Sequence, residues 1–328
     1  MSTGTLKYWG MTLVRMTTLL IAISMVSFIL IASSPIDPVD AYVGDLSVSE
    51  EQRNNIIAYW GLDKSPVERY LIWAGHLFEG DMGTSITYRQ PVTEVIGERF
   101  KTSLALMGLA WVFSGIIGFL LGVVSGVRRG SGLDKAIKTF CLTLTATPIF
   151  WMGLLILMVF AVELQWFPLG LAAPIGKVAG EATLAERLYH LILPAFTLSI
   201  TGVAPIALHT RQKIIDVMKS EYVLFARARG EKRWTAVRRH GIRNILLPAI
   251  TLQFASFSEL FGGSVLAEKV FSYPGLGNAA TTAGLKGDMP LLLGVALFSA
   301  VFVFTGNFMA NVIYGIVDPQ IREGGKHG

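Results

Sequence analysis

The strongest constraint on this 328-residue chain is a set of apolar stretches long enough to cross a bilayer as helices. A spanning helix needs about 20 mostly apolar residues. Residues 16–36, 102–127, 139–162, 188–210 and 289–317 contain no Asp, Glu, Lys or Arg, and a sixth stretch, residues 245–270, carries Glu259 in its middle. The whole chain agrees with this reading: 52% of its residues are hydrophobic, only 16% are charged, and the mean hydropathy is +0.54. A soluble domain of this size is more polar. The expectation is an all-α membrane protein with six transmembrane helices. The first stretch is too long for a signal-peptide core, and Ser33-Ser34-Pro35 is a poor cleavage site, so it reads as a retained helix. The single cysteine, Cys141, excludes an internal disulfide and a thiolate metal cluster.

Charge assigns the direction of the spans, because Lys and Arg near span ends stay on the cytoplasmic side. Residues 211–243 hold ten Lys or Arg against three acids, and residues 128–138 hold four against one, Asp134. Residues 37–99 hold eleven acids against five basic residues. The first two segments are therefore expected inside and the third outside, with both termini cytoplasmic. The net charge of +5 follows from topology, and nucleic-acid binding need not be invoked.

These assignments divide the chain into an N-terminus and first span (1–33), an extracytoplasmic helical segment (34–100), a transmembrane core (101–317) with a cytoplasmic loop at 211–245, and a cytoplasmic tail (318–328). Within the outer segment, Ser65-Pro66-Val67-Glu68 combines an N-cap, a proline at the first helical position and a capping-box glutamate, opening a helix that should end near Gly80. A preceding helix from Glu50, stopped by Gly61, and another opening at Pro91 are also expected. In the second span Gly118, Gly122 and Gly126 recur every four residues, leaving one face bare for a neighbouring helix. That helix belongs either to the same bundle or to another subunit. Pro148, Pro194, Pro205 and Pro248 fall within or beside spans, where kinks are tolerated if neighbours satisfy the backbone.

The most informative stretch precedes the fifth span. It reads Glu221-Tyr222-Val223-Leu224-Phe225-Ala226-Arg227-Ala228-Arg229-Gly230, then His240-Gly241-Ile242-Arg243-Asn244, then Leu247-Pro248. Small residues at Ala226 and Ala228 permit close approach to a partner surface, and Gly230 permits a sharp turn, so two short helices with a glycine elbow are expected. Anionic lipid alone would explain the charge but not the placement of Ala226, Ala228 and Gly230.

This stretch resembles the EAA-type coupling loop of ABC importer permeases, in the version found in the peptide and nickel importer family. Glu268 to Gly277, Asp288, Pro290 and Asp318-Pro319 resemble the same family's C-terminal signature, and Asp37-Pro38, Gly61-Leu62-Asp63, Gly80-Asp81-x-Gly83 and Pro148-x-Phe150-Trp151 also fit. The resemblance implies the type I ABC importer permease fold in a bacterial plasma membrane. It implies a second homologous permease, two ATP-binding subunits carrying ATP and Mg, and an extracytoplasmic solute-binding protein. It also implies ATPase coupling through Glu221, Tyr222, Ala226, Arg227, Ala228, Gly230, His240, Arg243 and Asn244, and cargo that is a di- or oligopeptide, or else nickel or a metal chelate.

The chain carries no Gly-rich phosphate loop followed by Lys and Ser or Thr, so its energy must come from other chains. Neither a catalytic constellation nor a metal site is expected. His190 and His209 lie too far apart along one helix to share an ion. Glu259 is the leading pathway candidate, since an ionisable group in mid-span is expected to face a cavity or a partner. Its roles remain two: attracting a cationic or metal-bearing solute, or packing at a permease interface. Asn307 and Asn311, one turn apart, are further candidates. A secondary transporter or channel is the rival of a different class, and would show broken helices in repeated positions or a relay of acids.

Overall fold

The computed structural model describes residues 3–33, 35, 37–43, 49–177 and 181–317. The expected Asp318-Pro319 motif and tail lie outside the described residues. Fourteen α-helices follow one another among these: α1 (Thr3–Ala32), α2 (Pro38–Val43), α3 (Glu50–Trp60), α4 (Pro66–Phe78), α5 (Val92–Val127), α6 (Gly132–Ala146), α7 (Ile149–Leu157), α8 (Leu184–Met218), α9 (Glu221–Ala228), α10 (Arg233–Ala236), α11 (Ile242–Ala255), α12 (Phe257–Val270), α13 (Leu276–Leu285) and α14 (Met289–Val317). The only β pairing among the described residues is an isolated bridge between Thr84 and Pro91.

Backbone contacts divide the chain into two units: residues 1–102 with 275–305, and residues 103–274 with 306–328. The first contains α1 to α4. Ser49 and Gln52 cap α3 reciprocally, and Gly61 closes it in the left-handed region. Ser65 accepts the Glu68 N–H to open α4, without the return bond from the Glu68 side chain that a capping box needs, and α4 ends at Phe78, just before Gly80. Tyr70 of α4 meets α1 through a hydrogen bond with Ser24 (2.8 Å) and an edge contact with Phe28. The helix opening after Pro91 is not separate from the second span: α5 runs 36 residues without a break through the boundary expected at 100–101.

Two sequence signatures some 200 residues apart meet in this unit. The buried Asp288 carboxylate accepts the Ser85 hydroxyl (2.6 Å) and the Thr87 N–H (2.9 Å), while caps of α14 come from its other oxygen, bonded to the Leu291 N–H (3.2 Å). A side chain at Gly83 would rest on Pro290. These residues hold a turn in place, which accounts for their identities without a ligand.

The second unit is built on α8, whose apolar face packs against α6, α7, α11 and α12. Here the glycine stripe of α5 finds its neighbour. A Cβ on Gly118, Gly122 or Gly126 would come within 2.6–2.9 Å of α8 atoms, including the carbonyls of Val203 and Ala207. The stripe is therefore spent on packing within the chain. At the opposite end of α8, the Ser103 hydroxyl donates to the buried Glu268 carboxylate (2.6 Å), and a His190 ring nitrogen bonds the Gly170 carbonyl (2.8 Å). Burial, with Glu268 close by, pushes the Tyr273 phenol up to about 12, so it stays a neutral group.

Four described helices are long and apolar enough to cross a membrane, and five if α6 and α7 count as one. The third expected span, residues 139–162, is bent by 109°. Pro148 excludes Thr147 from helical geometry, and Thr147 is extended. The fifth, residues 245–270, is broken at Ser256 into α11 and α12. No proline causes this break. The Gln253 carbonyl accepts the Trp111 indole N–H (2.8 Å) and the Ser256 hydroxyl (3.0 Å), which redirects a helical acceptor toward side chains. Pro194, Pro205 and Pro248 lie inside continuous helices.

Candidate functional site

The segment joining α8 to α11 takes the form of two short helices around a glycine. Gly230 sits at φ +95°, a region closed to most side chains, and closes α9 by donating to the Arg227 carbonyl (2.9 Å) while Glu231 donates to that of Ala226 (3.2 Å). After α10 the chain passes through a wide turn, Val237–Gly241, and continues directly into α11.

The two faces of α9 differ. Val223 and Ala226 are buried against the chain itself, so the small side chain of Ala226 lets α9 sit close on its own bundle. Outward lie Glu221, Tyr222, Leu224, Phe225, Arg227, Ala228 and Arg229, with the Arg229 guanidinium 5.9 Å over the Phe225 ring. Phe225 is 66% exposed and Trp234 of α10 is 52% exposed. Neither aromatic residue follows from the small-residue argument, although their spacing across the elbow was available in the sequence. The backbone at His240 lies in the wide turn and those at Arg243 and Asn244 in the first turn of α11; their side chains lie outside the description.

The scaffold behind this segment is saturated. Asp134, 3% exposed, accepts four hydrogen bonds: Arg211 Nε (2.7 Å) and Nη2 (2.9 Å), the Ser125 hydroxyl (2.6 Å) and the Gly130 N–H (2.8 Å). One carboxylate thus ties together the end of α5, the turn after it, the start of α6 and the end of α8. The paired geometry repays the loss of hydration that burial imposes on both charges. Beside it Val123, Ile214, Val237 and Ile245 form an apolar cluster linking α5, α8, the wide turn and α11. Nine residues of chain separate Arg211 from Glu221, so the exposed face of α9 is mounted on a block of helix ends.

Glu259 lies in the first turn of α12, immediately after the break, and is exposed on this chain. Asn307 is exposed on α14. Their sequence neighbours approach closely, since a Cβ on Gly306 would stand 2.9 Å from Ser258 Oγ. The Asn311 side chain lies outside the description. A polar group that sequence reasoning missed is Gln253, buried on α11, whose amide donates to the Trp111 carbonyl and to Ser114 Oγ (3.1 Å) while its own oxygen has no hydrogen-bond partner among the described residues. Among the described residues no group of three or more His, Cys, Asp or Glu could hold a metal ion.

A polytopic helical protein with an exposed turn-helix segment braced on its span ends has the build of a transporter's membrane component. Residues 118–323 match the family described as the inner membrane component of binding-protein-dependent transport systems. The chain is similar to the oligopeptide transport system permease protein AppB of Bacillus subtilis (strain 168), 36% identical over 93% of this chain and 95% of that one. It is similar also to the di/tripeptide transport system permease protein DppB of Pseudomonas aeruginosa (33%; 92% and 94%) and the dipeptide transport system permease protein DppB of Escherichia coli K12 (31%; 92% and 94%). A solved chain of the MetNI methionine ABC transporter shares the fold, with a TM-score of 0.52 at 15% identity, over 69% of this chain and 97% of that one. The chain belongs to the inner-membrane permease family of binding-protein-dependent ABC importers.

Proposed function

We propose that this chain forms half of the translocation path of an ATP-driven peptide importer, and that α9, Gly230 and α10 dock its cytoplasmic ATPases. The observation that carries the docking assignment is the division of α9 into a face packed on the chain and an exposed face bearing Tyr222, Phe225 and Arg229. An exposed aromatic and arginine pair of this kind suits an interface anchor. The peptide assignment draws on the names of the relatives, which are oligopeptide and dipeptide permeases. Glu259, exposed beside the break, is the observation that favours a cationic or metal-bearing cargo instead.

The machine comprises this chain, a second homologous permease, two ATP-binding subunits that hold ATP and Mg, and an extracytoplasmic solute-binding protein. Both termini of this chain face the cytoplasm in the arrangement that charge favours. When the ATPases close, the docked segment is pushed as a lever, and the helix ends joined through Asp134, Arg211 and Val237 move with it to switch access. This chain contributes binding surfaces and a path, while ATP hydrolysis belongs to its partners.

Phe225→Asp in the complete transporter tests the docking role. Loss of ATPase co-purification and of binding-protein-stimulated hydrolysis, with the permease pair still assembled, is the expected result. Full assembly and full transport by that variant would refute it. Glu259→Gln separates the cargo readings: unchanged uptake and unchanged assembly remove Glu259 from the path.

A further inference from the structure

We infer that Arg69 holds the phosphate of an anionic phospholipid at the membrane boundary. A cavity of about 590 Å³ opens within residues 1–102 and 275–305. Its apolar wall is made by Leu30 and Ile31, in the last turn of α1, and by Met289 and Leu292, in the first turn of α14. Both helices qualify as membrane spans, so the cavity lies where hydrocarbon gives way to headgroups. Two charged residues line it, Asp37 and Arg69.

They differ in what they touch. The Asp37 carboxylate is paired with Arg53, which also bridges Asp40. Among the described residues the Arg69 guanidinium has only soft partners: the Met289 sulfur, 3.4 Å from Nη2, and the Phe28 ring, 6.0 Å away. No carboxylate among the described residues bonds to it. Burial lowers its hold on its proton, yet a guanidinium stays charged in a protein. A half-buried cation without a counter-ion is costly, and an oxyanion entering the cavity would relieve it through charge-assisted, bidentate hydrogen bonds. A phospholipid supplies that oxyanion at the right depth and lays its acyl chains along Leu30 and Leu292. A free phosphate or carboxylate could supply the charge but would leave the apolar wall wet.

The test is native mass spectrometry of the full transporter, released from micelles doped with phosphatidylglycerol. Compared with wild type, Arg69→Gln should weaken phosphatidylglycerol retention by about tenfold or more, the loss of one charge-assisted hydrogen-bond pair. Arg69→Lys should restore part of it, and Lys64→Gln, which removes an exposed cation on the same segment, should change nothing. Circular dichroism and subunit stoichiometry identify a misfolded variant, in which case Arg69→Lys against wild type carries the comparison. Equal retention by wild type, Arg69→Gln and Arg69→Lys would overturn the site. So would Arg69-dependent binding of added inorganic phosphate with no retained lipid, which would assign the charge to a free anion.

Discussion

Two arginines in this protein lie in contrasting surroundings. Arg211, at the end of α8, is locked bidentately to a carboxylate that also takes a serine and a backbone amide. Arg69, on α4, faces a sulfur, a ring and an open cavity. A guanidinium whose bonds are all made within the chain is a fastener, and it marks the block that carries α9, Gly230 and α10. One whose bonds are left open is an invitation to something outside the chain. Both arginines are partly buried, so the difference rests on whether a described residue supplies a counter-charge.

The sharpest way to break this contrast is to remove Asp134. Asp134→Ala strands the Arg211 charge in a buried setting and should cost about 3–5 kcal/mol, read as a lower melting temperature or lost subunit assembly. Arg211→Gln should be comparably damaging in every lipid, whereas Arg69→Gln should be tolerated. If the two arginine variants melt alike in all lipids, the distinction between fastener and open site is gone. Next in size is Gly122→Leu. Its Cβ alone would fall 2.6 Å from the Ala207 carbonyl and the Thr210 side chain, so overpacking of about 1–3 kcal/mol is expected from thermal unfolding. Gly230→Ala sharpens the picture from the side of the proposed docking segment. No atom obstructs a side chain there, so the cost is conformational, about 1 kcal/mol, and should be seen as weaker ATPase stimulation rather than lost assembly. Smallest is Arg53→Gln. Its pairs with Asp37 and Asp40 are solvent-exposed, and melting should not change measurably.

How much of this was readable beforehand follows the range of the interactions involved. Span existence is local, and residues 102–127, 188–210 and 289–317 each fall within a continuous helix. The caps at Ser65 and Gly61 and the elbow at Gly230 are also local, and each stands where its residues place it. The breaks are harder. Of four prolines flagged as possible kinks, only Pro148 stands at a sharp bend, because the others are accommodated inside α8 and α11. The break at Ser256 depends on Trp111, 142 positions from the carbonyl it engages. The Asp134–Arg211 fastener joins residues 77 apart, and its only trace in the sequence is one acid in an otherwise basic link. The small size of Ala226 does not say which side of α9 faces inward, and the structure packs it on the chain's own side.

The bend at Pro148 bears on how the protein is made. As an α-helix, the 15 residues of α6 extend about 22 Å, too short to cross a hydrocarbon layer of about 30 Å. While the chain is being synthesised, however, residues 139–162 leave the ribosome as one uninterrupted apolar stretch, before α8 exists. The insertion machinery sorts segments by composition, and this one should enter straight across. Bending then waits for Val203, Ala204 and Ala207 to arrive and pack against Ile137, Cys141 and Leu144. Glycosylation mapping of nascent chains truncated before residue 184 should place the two ends of this stretch on opposite sides of the membrane. If those truncated chains already give the mature accessibility pattern, the bend is local to Pro148; otherwise part of this protein's folding is a rearrangement that happens after its spans are in the bilayer.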